Sequence, residues 1–217
     1  LNAGQTCIAP DYLLVHAEVK ERLIEALKKE FEHLLGKNPQ EAKHFVRIVS
    51  DKAFDRLTGY LKDGNVRIGG TYDRKERYIH PTVLDGVKKE SPIMQEEIFG
   101  PLFPLLTFNT TDEAIDFVNK REKPLALYYF GENGDNIRRV LRHTSSGGAC
   151  INDTIMHIAN ENLPFGGVGN SGMSSYHGRE SFRVFSHQRA VVTTPTWLDL
   201  PFRYMPYKFF GMVKGML

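Results

Sequence analysis

Cys7 stands in Gly4-Gln5-Thr6-Cys7-Ile8-Ala9-Pro10, a stretch whose residue types leave a thiol accessible. Gly4 removes a side chain near the sulfur, Gln5 and Thr6 are polar, and Pro10 prevents simple continuation into a helix. A thiolate so placed can attack a carbonyl carbon. A free cysteine is more often a small buried hydrophobe, and residue type alone leaves Cys7 open between the two. The other cysteine, Cys150, follows Gly147-Gly148-Ala149 in an apolar run and reads as packing.

Glu96-Glu97-Ile98-Phe99-Gly100-Pro101 sets adjacent carboxylates before a turn-forming Gly-Pro. Neighbouring side chains of extended chain point opposite ways, so at most one of the two acids faces a site. A carboxylate followed two residues later by an aromatic ring suits a ribose diol, while paired acids on a solvated surface are the commoner case. Gly167-Val168-Gly169-Asn170-Ser171-Gly172 matches the three-glycine dinucleotide pattern. Its context does not: Asn162-Leu163-Pro164 precedes it instead of a strand, and Gly172 and Gly178 break any helix after it. The run reads as a loop whose glycines allow close backbone approach. His177 adjoins this loop and reads as a site residue or as a hydrogen-bonded structural imidazole. The eight histidines lack a ligand spacing such as His-x-x-x-His, so no metal site is expected.

The elements that must position these groups alternate. Tyr12 to His16 reads as a strand. An amphipathic helix carrying Val19, Leu23, Leu27, Phe31 and Leu34 follows and stops at Gly36. Ser50 caps a second helix with Phe54, Leu57 and Leu61. Strands are expected at Val66 to Ile68, Tyr78 to Leu84 and Leu102 to Phe108, the last irregular or at an edge because of Pro104. Thr111 begins a helix, Leu125 to Phe130 reads as a buried strand, Ile137 to His143 as a helix and Gly148 to Asn152 as a strand. This order predicts an α/β fold: an open, largely parallel sheet with helices on both faces.

With 217 residues, 41% hydrophobic and 25% charged, the chain can bury a core without disulfides or metals. Its 28 basic and 26 acidic residues give +2, which offers nothing to a nucleic acid. No run approaches a membrane span, and two cysteines fit a reducing, cytoplasmic setting. The opening Leu1-Asn2-Ala3-Gly4 carries neither initiator methionine nor signal features, and reads as the edge of a piece cut from something longer. Composition shifts near Thr194-Pro195, dividing a domain over 1–193 from an aromatic, basic tail over 194–217. In the tail, a helix from Pro206 would share Phe209, Met212, Val213 and Met216 on one face. That segment suits docking on its own protein, dimer contact with a partner subunit, or peripheral contact with an anionic membrane.

Three long motifs, in order, resemble the aldehyde dehydrogenase superfamily, and in detail its class 3 branch for fatty and aromatic aldehydes. Asn2 to Tyr12 is similar to the segment around the family's nucleophile. Pro92-Ile93-Met94-Gln95-Glu96-Glu97-Ile98-Phe99-Gly100-Pro101 is similar to its cofactor-ribose motif. Leu163-Pro164-Phe165-Gly166-Gly167-Val168-Gly169-Asn170-Ser171-Gly172-Met173, with Tyr176-His177-Gly178, is similar to the class 3 substrate loop.

The resemblance implies that Cys7 attacks an aldehyde, that the hydride passes to NAD or NADP, and that a thioester is hydrolysed to the acid. It implies Glu97 on the nicotinamide ribose, Phe99 near the nicotinamide, Phe165 lining the aldehyde pocket and His177 beside it. It also implies a homodimer and an N-terminal Rossmann domain that binds most of the cofactor. That half carries the hydrolytic glutamate and the oxyanion asparagine, so turnover by these residues alone is not expected. A cysteine hydrolase or acyltransferase using Cys7 with His177, and a non-catalytic binding domain, are the alternatives.

Overall fold

The computed structural model describes residues 1–199, 204–206, 211 and 214–215. Two compact units divide the chain, Leu1–Val184 and Phe185–Leu217. The first contains β1 (Leu13–His16), α1 (Lys20–Leu35), α2 (Asp51–Gly59), β2 (Asn65–Ile68), β3 (Tyr72–Asp73), β4 (Tyr78–Ile79) and β5 (Thr82–Asp85). It continues through β6 (Leu102–Phe108), α3 (Thr111–Asn119), β7 (Ala126–Tyr129), α4 (Gly134–His143), β8 (Gly148–Ile151), α5 (Met156–Ala159) and α6 (Gly178–Val184).

The main sheet has the order β1-β6-β5-β2. Strands β1, β6 and β5 are parallel, with Leu13 opposite Leu105 and Thr82 opposite Leu102, while β2 runs antiparallel to β5. Alternation along the strands sends neighbours to opposite faces. Val83, Leu105 and Val15 pack with Ile24, Leu23 and Leu27 of α1. Leu84 and Leu102 pack instead with Phe54 and Leu57 of α2, and Phe117 of α3 joins them. Helices therefore cover both faces, as the sequence pattern predicts. Leu57 and Leu102 are fully buried, each contributing about 2 kcal/mol by removal from water. Helix starts follow their caps: the Ser50 hydroxyl accepts from Ala53 N–H, and Thr110 from Glu113 N–H.

Four local expectations are corrected. Tyr78 to Leu84 is not one strand. It breaks at His80-Pro81 into β4, paired with β3, and β5 in the main sheet. Thr82, fully buried, stabilises the break by donating to His80 O (2.6 Å) and accepting from Gly70 N–H (2.9 Å). Pro104 lies in the interior strand β6, opposite Leu84, and not at an edge. Strand β7 is half-buried along its length, because it pairs with β8 in a separate two-stranded parallel sheet. In α1 the fully buried residue is Ile24. Val19 and Leu34 are exposed, since they flank the stretch that crosses the sheet. The expected tail helix with Phe209, Met212, Val213 and Met216 lies outside the described residues. No helix among the described residues is long and apolar enough to cross a membrane.

Candidate active site

Cys7 is exposed on a turn closed by Ala9 N–H donating to Thr6 O (2.9 Å). The turn is fixed from three sides. Before it, Asn2, Ala3 and Gly4 take positive φ of 50°, 49° and 75°, strained for the first two. Gly4 then packs on Gly100 so closely that an added Cβ would lie 2.2 Å from the Gly100 carbonyl oxygen. The Gln5 amide donates to Arg47 O (3.1 Å) and accepts from Val49 N–H (2.9 Å). On the far side, Tyr128 of β7 donates its hydroxyl to Ile8 O (2.6 Å). Burial pushes that hydroxyl's pKa up, the Ile155 backbone pulls it down, and Cys150 and Cys7 add to the rise. Tyr128 stays protonated and keeps donating. Among the described residues no acceptor takes the Cys7 N–H.

Gly100 belongs to the segment that carries the paired acids, so the two motifs meet. Arg56 of α2 holds this segment by its backbone, donating to Ile98 O (2.7 Å) and Glu97 O (3.2 Å). The Glu96 carboxylate accepts from the Tyr60 hydroxyl and lies 3.9 Å from Arg56. Among the described residues the Glu97 carboxylate has neither a hydrogen bond nor an ion pair, and it is exposed. Of two adjacent acids, one is committed to the fold and one is free for a ligand. Phe99 follows with φ 51° and its side chain 38% exposed. Such a left-handed aromatic costs about 1–3 kcal/mol. Beneath the segment, Asp11 accepts from Ile98 N–H at 2.8 Å. Burial raises the Asp11 pKa to about 6; the Ile98 N–H, Arg121 and Arg56 oppose the rise and Glu97 adds to it.

The glycine loop closes on itself. Phe165 and Tyr176 exchange both backbone hydrogen bonds at 2.9 Å. A Cβ on Gly166 or Gly167 would lie 2.1 Å from Ser174 O or 2.0 Å from Ser171 O. What these glycines approach is the loop's own backbone. Phe165 is buried, with the His177 ring stacked at 6.0 Å and Tyr176 edge-on at 5.6 Å. His177 has φ 82°, donates its backbone N–H to the Ser181 hydroxyl, and leaves Nδ1 buried without a partner among the described residues.

The structure brings together two sets of these residues, the Cys7 turn with the Glu97 segment through Gly4 and Gly100, and Phe165 with His177. No hydrogen bond joins Cys7 to His177. The thiol that does meet an imidazole is Cys150, 3.3 Å from His157 Nδ1. Sequence reasoning missed Asp11, Arg56, Tyr128 and His157. Asp11, Arg56 and Tyr128 act on segments distant in the chain, and His157 meets Cys150 seven residues away only because α5 turns back on β8. Among the described residues no group of three or more His, Cys, Asp or Glu could hold a metal ion. A depression of about 260 Å³ lined by Leu14, Leu106, Phe108 and Phe117 includes none of the candidate residues.

An α/β domain carries an exposed cysteine on a clamped turn, which packs through Gly4 on Gly100 of the segment that holds Glu97. The aldehyde dehydrogenase family model matches residues 1–191. Aldehyde dehydrogenase family 3 member B1 of Rattus norvegicus is 52% identical over 95% of this chain and 44% of its own length. The rat "aldehyde dehydrogenase, dimeric NADP-preferring" is 47% identical over 88% of this chain and 42% of its length. The substrate-bound structure of Staphylococcus aureus AldH superposes with a TM-score of 0.89 at 48% identity, covering 99% of this chain and 47% of that one. The chain belongs to the aldehyde dehydrogenase family, with its similarity in the class 3 branch, and spans under half the length of these relatives.

Proposed function

We propose that this chain is the catalytic part of an NAD(P)-dependent enzyme that oxidises aldehydes to carboxylic acids. The observation that carries the reading is the Gly4–Gly100 contact, because it locks the thiol turn against the segment whose Glu97 carboxylate is free. The Cys7 thiolate adds to the aldehyde carbon, forming a C–S bond and an alkoxide. Its own N–H, which no acceptor takes among the described residues, donates to that oxygen. Bound nicotinamide supplies the acceptor for the hydride. The thioester left on Cys7 is cleaved by water, which releases the acid and restores the thiolate.

The free carboxylate and the exposed ring two residues later fit a nicotinamide riboside, with Glu97 on the ribose hydroxyls and Phe99 beside the ring. Phe165 lines the aldehyde pocket and His177 borders it. Residues 1–193 form the catalytic domain and 194–217 a tail. An N-terminal Rossmann domain holds most of the cofactor, a homodimer is the assembly, the setting is cytoplasmic, and the tail makes partner or peripheral membrane contact. The rat relative named dimeric and NADP-preferring supports the assembly and the cofactor class.

These residues alone acylate but do not turn over. Incubation with a p-nitrophenyl ester of a fatty or aromatic acid is expected to place one acyl group on Cys7, read by mass spectrometry and lost in Cys7→Ala. Acylation that survives Cys7→Ala overturns the assignment of the nucleophile. Oxidation of an aldehyde by the isolated chain with NAD(P) overturns its predicted inactivity.

A further inference from the structure

His157 stands outside the chemistry described above, yet it touches both halves of it. It is 8% exposed, and its buried Nε2 has no hydrogen-bond partner among the described residues. Its Nδ1 lies 3.3 Å from Cys150 Sγ in the adjacent strand β8. The ring is 5.8 Å from that of Phe165 and 6.0 Å from that of Tyr128. Tyr128 in turn donates to Ile8 O, one residue from Cys7. A continuous line of contacts therefore runs from the pocket aromatic, through the imidazole, to the nucleophile turn.

Two features show that the fold gives up stability to hold this ring. Ile155, which precedes α5, has φ 68°. For a β-branched residue this is a true outlier, and its effect is to turn the four-residue α5 so that His157 faces β8. Gly148 supplies the space: a Cβ there would lie 2.6 Å from His157 Cδ2 and 3.2 Å from Nε2. Strained or unsatisfied groups of this kind gather at working sites, not in ordinary packing.

We infer that His157 is a positioning residue that keeps the Phe165 pocket wall in register with the Cys7 turn, its ring oriented by the Cys150 thiol. Burial lowers the pKa of His157, so the ring is neutral. The neutral ring and the thiol share one hydrogen bond through Nδ1 and Sγ, and the ring cannot flip without breaking it. The inference rests on the reading of Cys7 as nucleophile and Phe165 as pocket wall.

The test compares two alkylating agents on the 217-residue chain, with labelling of Cys7 followed by peptide mass spectrometry. Iodoacetamide reads the thiol itself. Phenacyl bromide, an aromatic haloketone, must also lie against Phe165. His157→Ala is expected to lower the phenacyl-to-iodoacetamide rate ratio at least fivefold, which a general loosening of the fold would not do. Cys150→Ala is expected to lower the ratio as well, and Cys150→Ser, which keeps a hydrogen-bonding group at Nδ1, to restore it to within twofold. If His157→Ala does not fold, the two Cys150 variants decide: equal ratios overturn the inference. A ratio within twofold of the parent in both His157→Ala and Cys150→Ala also overturns it. Phe165→Ala separates the failures, since an unchanged ratio there removes the pocket reading itself.

Discussion

Asp11 and Ile98 are 87 residues apart and share one hydrogen bond, the Ile98 N–H donating to the Asp11 carboxylate at 2.8 Å. Through it the end of the nucleophile segment supports the segment that carries Glu97. The carboxyl is partly buried, and its folded pKa of about 6 exceeds the ordinary 3.8.

A raised folded pKa fixes the sign of a pH effect. The stability that Asp11 contributes is fully present below about pH 4, where it is protonated folded and unfolded. It is lost as pH rises through 6, where the folded state must give up a proton it holds more tightly. Asp11→Asn keeps an oxygen for Ile98 N–H and removes the buried charge. It is expected to match the parent near pH 4 and to exceed it by about 3 kcal/mol above pH 7, from roughly 1.4 kcal/mol per pKa unit. Urea midpoints at the two pH values measure this. A variant weaker than the parent at pH 7.5 would contradict it.

Gly4 is irreplaceable on two counts, φ 75° and a Cβ position 2.2 Å from the Gly100 carbonyl oxygen. Gly4→Ala is expected to cost about 2–4 kcal/mol and to change the alkylation rate of Cys7. Gly36→Ala is the control, because its φ is 76° but nothing lies within 4 Å of the added atom. It should cost about 1 kcal/mol and leave Cys7 untouched.

The two adjacent acids should separate by assay. Glu96→Gln weakens the contact with Tyr60 and Arg56, and should lower stability by about 1 kcal/mol. Glu97→Gln should leave the melting temperature within about 1 °C, since the carboxylate has no partner among the described residues. In an enzyme containing the cofactor domain it should weaken NAD(P) binding. Equal melting shifts for the two variants would show that the division between them is wrong.

Tyr128→Phe deletes the hydroxyl that donates to Ile8 O and leaves that carbonyl to find water. A loss of about 1–2 kcal/mol is expected. Faster hydrogen exchange should be confined to the turn around Cys7. Exchange unchanged there would remove Tyr128 as a clamp.

Much of the fold is legible in the chain because it is written in short-range patterns. Ser50 and Thr111 mark helix starts, and β6 occupies the run from Leu102 to Phe108 that its residues predict. Legibility fails where long-range partners decide. His80-Pro81 divides a run whose residue types read as one strand, and only the pairing of β5 with β6 shows why Thr82 belongs to another sheet from Tyr78. The site divides in the same way. Cys7, Glu97, Phe165 and His177 lie in dense local motifs, whereas Arg56, Tyr128 and His157 hold those motifs from positions whose neighbours look ordinary. Cys150 reads as packing from its sequence, and its imidazole partner seven residues on comes into view only when α5 turns back on β8.

The parallel pairing of Leu13 with Leu105 has a consequence for the order of events as the chain is made. Strand β1 has no ladder partner until β6 has been synthesised, and the Tyr128 clamp on Ile8 arrives later still. Closing loops of that size costs little more entropy than closing short ones, since the cost grows with the logarithm of length, but pairings so distant form slowly. Ile8 and Tyr128 are 120 residues apart, so the turn around Cys7 sets long after its own residues are made. A nascent chain carries Cys7 as an ordinary mobile thiol, and its clamped environment is assembled only when more than half of these residues have been made.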